Sequence, residues 1–143
     1  MKIRVLLVDD EKDFIDVLAE RLEARDFTTS KAYSGDEAMG LIREKDVDVV
    51  LLDVQMPLKD GVSVLREIKA FNPLVEVIML TGHSTVESAV EGMKIGAYDY
   101  LLKPTETKDL VEKLAMAYKR KSEQETRIRQ AEIERILSRK GWA

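Results

Sequence analysis

The sequence predicts an α/β fold in which a parallel sheet is doubly wound, with helices on both faces. Apolar runs of strand length alternate five times with amphipathic stretches of helix length, the pattern of repeated βα units. The run Val47–Leu52, ending on Asp53, is apolar except for Asp48, as a central strand covered on both sides requires. Four of the runs also end on residues suited to phosphate or a divalent cation. Val5–Val8 leads into Asp9 and Asp10, Val49–Leu52 into Asp53, Val77–Leu80 into Thr81, and Tyr100–Leu102 into Lys103 and Pro104. Ligands of an open α/β sheet bind outside the carboxyl ends of its strands, so these residues are expected on one rim.

The elements follow in order. Ile3–Val8 is the first strand, and Phe14, Ile15, Leu18 and Leu22 recur at helical spacing in a helix over about 12–25. A second strand over 27–33 contains Thr28, Thr29 and Ser30, a polarity that suits an edge. Ser34 and Glu37 form a capping-box pattern that opens a helix running to about Glu44. After the Val47–Asp53 strand, Pro57 and Gly61 interrupt the chain. A helix carrying Val62, Leu65 and Ile68 follows and ends at Asn72-Pro73. Val75–Leu80 is the fourth strand, with a helix from about Ser84 to Ile95 stopped by Gly96. Tyr98–Leu102 is the fifth strand. A last helix starts near Thr107 with Leu110, Val111, Leu114 and Met116 available for packing.

The chain has 143 residues, 45% of them hydrophobic, which suffices for one sizeable core and leaves no room for a second catalytic domain. It contains no cysteine, which excludes disulfides and thiolate chemistry. The apolar run near the N-terminus is too short for a signal sequence or a membrane span, so a soluble, cytoplasmic protein is expected.

The net charge of −4 is unevenly placed. Residues 1–118 hold 15 Lys/Arg against 23 Asp/Glu, whereas residues 119–143 hold 8 against 4. Glu123, Glu125, Glu132 and Glu134 interleave with the basic residues, which reads as a solvated helix more than as a direct nucleic-acid contact. Residues 119–127 contain no apolar side chain and are expected to form a hinge, a solvated rod or a frayed helix end. Ile128, Ile133, Ile136, Leu137 and Trp142 then offer a dimerising or partner-docking segment. We therefore divide the chain into a body over 1–118 and a charged, helical extension or linker over 119–143.

Brought to one rim, Asp9, Asp10 and Asp53 would repel one another unless a cation sat among them. Three carboxylates without histidine or cysteine favour a hard ion, Mg²⁺ in the first instance. Thr81 would donate to a phosphoryl oxygen and Lys103 would neutralise another, leaving Asp53 as a nucleophile that forms an acyl phosphate. Taken singly, each residue has a structural alternative: helix capping for Asp9 and Asp10, a turn for Asp53, a surface position for Lys103.

The joint pattern resembles the receiver domain of two-component response regulators, of the chemotaxis-regulator-like kind. The resemblance covers residues 1–118 and rests on Asp9-Asp10, on Leu51-Leu52-Asp53-Val54-Gln55-Met56-Pro57 with Asp60-Gly61, on Leu80-Thr81-Gly82, and on Tyr100-Leu101-Leu102-Lys103-Pro104. It implies a (βα)5 flavodoxin-like fold with strand order 2-1-3-4-5. It implies that Asp53 accepts phosphate from the phosphohistidine of a sensor histidine kinase. It also implies that Asp10, Asp53 and the backbone carbonyl of Gln55 ligate Mg²⁺, with Asp9 acting through a metal-bound water. Thr81 and Lys103 are assigned to phosphoryl contacts, Lys103–Pro104 to a cis peptide, Thr81 and Tyr100 to the conformational switch, and Gln55 and His83 to control of phosphate lifetime. An exposed loop side chain is the alternative for His83. The output surface is expected over 84–118, signalling through a downstream protein partner or self-association aided by the C-terminal helix. No output domain fits after Pro104, so the chain is expected to be either a stand-alone receiver or part of a longer regulator.

A competing reading is a small aspartate-nucleophile phosphatase of the haloacid dehalogenase type. That family places its nucleophile after the first strand with a second aspartate two residues on, where this chain has Glu11 after Asp9.

Overall fold

The structure, a computed structural model, describes residues 2–56, 60–82 and 86–141. Five parallel strands, β1 (Arg4–Val8), β2 (Thr28–Ala32), β3 (Val49–Asp53), β4 (Glu76–Thr81) and β5 (Asp99–Leu102), lie in the order β2-β1-β3-β4-β5. Helices α1 (Lys12–Glu23), α2 (Gly35–Glu44), α3 (Gly61–Phe71), α4 (Val86–Ile95) and α5 (Thr107–Arg139) connect or follow them. Each side of the sheet buries its own apolar cluster. Leu6, Val8, Val50, Leu52, Val77 and Met79 point to one side, with α2 and α3 residues such as Met39 and Leu65. Val5, Leu7, Val49, Leu51 and Ile78 point to the other, with Ile15, Leu22, Leu110 and Leu114 of α1 and α5. This alternation is the two-residue period of a strand buried on both faces.

The expected elements form with small shifts at their ends. The polar strand β2 does take an edge, pairing only with β1. Ser34 caps α2 by accepting from Glu37 N at 3.2 Å, while the Glu37 carboxylate reaches one residue further back than a standard capping box and accepts from Tyr33 N at 2.9 Å. Asp60 caps α3 through Ser63 N at 2.8 Å. Gly96 ends α4 at φ +125°, a conformation open to glycine and strained for other residues. The stretch where α4 was expected to begin, near Ser84, lies outside the described residues.

The last helix is extended, as expected of a helical tail. Residues 119–127 are neither a break nor a frayed end, for α5 runs unbroken through them to Arg139. Its inward stripe Leu110, Leu114 and Ala117 continues into Lys121, which is only 7% exposed. The reason is a buried carboxylate: Asp48, 1% exposed at the foot of β3, accepts from Lys121 Nζ at 3.1 Å. Beyond that point α5 leaves the body, and Ile128, Ile133 and Ile136 are exposed. Among the described residues, no helix is long and apolar enough to cross a membrane.

Candidate phosphoacceptor site

The rim is built by strand register. Val8 lies beside Leu52, Asp53 beside Leu80, and Thr81 beside Leu102, so the residues that end or follow these strands share one edge. Carboxylate oxygens of Asp9, Asp10 and Asp53 all lie within 4.8 Å of one another. Asp9 and Asp53 are buried and Asp10 is exposed, so the cluster opens to solvent on one side. Asp9 does not cap α1, whose N-cap is Glu11 without a side-chain cap bond. It accepts from Glu11 N at 3.0 Å and from Lys103 Nζ at 2.7 Å.

Lys103 reaches the site from the segment after β5. Its backbone N–H donates to Thr81 O at 2.7 Å, and the Lys103–Pro104 peptide is cis. The ammonium sits 3.7 Å from Asp53 Oδ2 and 4.6 Å from the centroid of the Phe14 ring. Phe14 therefore does more than pack α1: its π face lies under the cation, an attraction that steadies it. Helical spacing alone marked Phe14 as an apolar contact and concealed this role. Burial alone would depress the Lys103 pKa, but the hydrogen bond it donates to Asp9 and the Asp53 and Asp9 charges outweigh it and raise it.

Asp53 has the opposite balance. Burial and then the Asp9 charge push its carboxyl up to about 6, against the pull of Lys103 and a 3.1 Å hydrogen bond from Gln55 N. An acid held this high in an anionic nest favours a divalent cation, since a positive ion relieves both causes of repulsion at once. Thr81 Oγ1 is buried with no hydrogen-bond partner among the described residues. A buried hydroxyl without a partner among the described residues, at the end of the strand next to the one that ends at Asp53, is a candidate donor to a polar ligand. The donor set, all oxygen and partly solvent-facing, fits a hard ion that keeps water ligands.

Gly61 sets the far wall. A Cβ there would lie 2.6 Å from Asp53 O and 2.7 Å from Val54 Cα, so α3 starts directly against the end of β3 at Asp53. Tyr100 is 36% exposed on β5, on the outer side of the sheet edge. Gln55 is also exposed; His83 lies outside the described residues.

A sheet ordered β2-β1-β3-β4-β5 with an aspartate nest, threonine and lysine on its carboxyl rim defines a class, the receiver domains of two-component signalling. The response regulator receiver domain model matches residues 5–115, and the chain belongs to that family. The transcriptional regulatory protein ZraR of Salmonella typhimurium is 43% identical over 116 residues, which are 81% of this chain and 26% of that protein. A putative response regulator NtrX-like protein of Rickettsia bellii is 40% identical over 111 residues, 76% of this chain and 23% of that one. The chain thus spans about a quarter of the length of these relatives. Among solved structures, a receiver domain protein from Clostridium thermocellum superposes with TM-score 0.81 at 35% identity, covering 84% of this chain and 97% of that one. NtrX from Brucella abortus, solved with ADP, gives TM-score 0.83 at 31% identity over 88% of this chain and 29% of that one.

Proposed function

We propose that this receiver accepts a phosphoryl group on Asp53 from the phosphohistidine of a sensor histidine kinase, and that the modification alters its output face. A carboxylate oxygen of Asp53 forms the new bond to phosphorus while the P–N bond to the imidazole breaks. That nitrogen keeps the electron pair and takes a proton from solvent. The reading is carried by one observation, the meeting of the Asp9, Asp10 and Asp53 carboxylates with Lys103 at the strand ends, where the buried Thr81 hydroxyl has no partner among the described residues. Asp10, Asp53 and the Gln55 backbone carbonyl would hold Mg²⁺, with Asp9 behind them. Bound Mg²⁺ supplies positive charge against the carboxylates and the incoming phosphoryl oxygens. Lys103 and Thr81 serve the other oxygens, Lys103 as a point charge and Thr81 as a hydroxyl donor.

Movement of Thr81 toward a phosphoryl group would vacate space that Tyr100 can enter, a two-state rearrangement of a packed ring. Val90, Met93, Tyr100, Leu102 and Met116 are exposed on α4, β5 and α5, and this is the face proposed to change partner binding or self-association. Gln55 and His83 would tune phosphate lifetime from beside the site. The domain boundary is placed near residue 118, with α5 beyond it as a linker or extension. A cytoplasmic location accords with kinase-driven signalling.

Intact-mass analysis after incubation with acetyl phosphate tests the reading. One Mg²⁺-dependent phosphoryl group, absent from Asp53→Ala, is expected; an adduct that survives in the variant would overturn it. The phosphatase alternative needs Asp9 as nucleophile, yet Asp9 is engaged by Lys103 and by the Glu11 amide, and the chain belongs to the receiver family.

A further inference from the structure

At the end of the sheet opposite the phosphoacceptor rim lies a second group of buried charges. Asp48 immediately precedes β3 and Glu76 opens β4, the two strands that end at Asp53 and Thr81. Both carboxylates are almost inaccessible, Asp48 at 1% and Glu76 at 4%. Arg4 serves Asp48 from β1 with three bonds: its backbone N–H at 2.9 Å, Nε at 3.2 Å and Nη2 at 3.0 Å. Lys69 of α3 serves Glu76 at 3.2 Å and also donates to Val75 O at 2.8 Å. Each carboxylate therefore has a cation from the body, and each takes a second from α5. Lys121 Nζ donates to Asp48 Oδ1 at 3.1 Å and to Glu125 Oε1 at 3.2 Å, and Arg120 Nε lies 2.7 Å from Glu76 Oε2. The Arg120 guanidinium also lies 5.3 Å from the centroid of the Tyr98 ring.

These contacts fall inside residues 119–127, the one stretch of α5 without an apolar side chain. A helix polar all round has no packing to fix its direction and is marginal by itself. Here the direction is set by adjacent positions on α5 reaching two different strands. Two anchors on separate strands oppose swinging in two directions, which a single ion pair cannot do. The Lys121–Asp48 pair is buried and the Arg120–Glu76 pair is open to solvent on the arginine side, and such pairs contribute through geometry more than through net Coulombic energy.

We infer that Asp48 and Glu76, by taking Lys121 and Arg120, clamp the helical extension to the foot of the sheet, so that residues 119–127 are a rigid strut carrying the chain beyond them in a fixed orientation. The clamp can be tested without donor or metal.

The chain has no cysteine, so Glu20→Cys on α1 and Gln130→Cys on the extension take spin labels at defined sites. The distance distribution is expected to be narrow in the labelled parent and clearly broader after Lys121→Met with Arg120→Gln. Those substitutions leave Asp48 paired with Arg4 and Glu76 with Lys69, so the body keeps its counter-charges, and the melting transition reports that it stays folded. Lys119→Met, which removes an exposed ammonium whose contact is Glu123 at 4.0 Å, should leave the distribution narrow. Amide exchange over 119–127 is expected to accelerate by at least about tenfold in the double variant, equivalent to about 1.4 kcal/mol. A broad distribution in the parent, or equal widths in parent and double variant, would overturn the inference.

Discussion

Lys103 Nζ stands 2.7 Å from Asp9 Oδ2 and 3.7 Å from Asp53 Oδ2, so the ammonium rests on Asp9 rather than on the proposed phosphoacceptor Asp53. A cation entering the nest therefore competes with Lys103 for Asp9. A phosphoryl group on Asp53 would draw the ammonium across about an ångström, within the reach of a flexible lysine stem.

Lys103→Met should separate these two roles. Loss of a positioned charge from the phosphoryl oxygens is expected to slow phosphorylation by acetyl phosphate by about 10²-fold or more. The same change releases Asp9 and removes a competing positive charge, so Mg²⁺ should bind more tightly by calorimetric titration. Weaker Mg²⁺ binding in the variant would contradict the competition.

The Asp53 carboxyl, raised from 3.8 to about 6, makes metal-free stability depend on pH. An acid whose folded pKa exceeds its unfolded value favours the fold in its protonated form. Its penalty is absent below the unfolded pKa, grows as pH rises between the two values and is complete above the folded one. Asp53→Asn should therefore melt higher than the parent at neutral pH without metal, by an amount of order 2 kcal/mol. The difference should close toward about pH 4. Coincident melting curves at neutral pH would show that the carboxylate is not strained.

Asp48 works in the reverse sense. Burial would raise its pKa, but hydrogen bonds from the Arg4 side chain and backbone and from Lys121 outweigh it and hold the carboxyl below its ordinary 3.8. Its stabilisation is present above the unfolded pKa and is lost as pH falls through the lower folded one. Asp48→Asn removes the buried charge shared by Arg4 and Lys121, leaving Lys121 with Glu125, and is expected to cost about 3 kcal/mol at neutral pH in denaturant titrations, and much less in strong acid.

Two glycines should answer alanine in opposite ways. Gly61→Ala forces a Cβ into Asp53 O and Val54 Cα, both backbone atoms, and is expected to cost about 1–3 kcal/mol while weakening Mg²⁺ binding. Gly40→Ala, in α2 with nothing within 4 Å of the new Cβ, should stabilise by up to about 1 kcal/mol. Denaturant midpoints for the pair would check both signs.

Much of this was legible in the chain. Apolar periodicity marked most of the elements, because burial on both faces of a sheet leaves uninterrupted runs such as Val49–Leu52, while the polar edge strand and α2 were read from composition and a capping box. The site residues were visible because strand ends in such a sheet share one rim. Phe14 beneath Lys103 was not visible, since the i, i+4 spacing that packs a ring in a core is the same spacing that places it under a cation. Asp48 and Lys121 stood out only as a polar residue in an apolar run and one lysine among many. Nothing in residues so far apart announces that they meet.

The sequence by itself determined the alternating architecture, the polar edge strand and the set of carboxylates, hydroxyl and amine at the strand ends, since these follow from local periodicity and residue chemistry. Only the tertiary structure decided which carboxylate Lys103 rests on, why Gly61 must be bare and where α5 points after Tyr118. Those outcomes depend on distances between segments that are remote in the chain, and buried charges take partners only when packing brings them within hydrogen-bond reach.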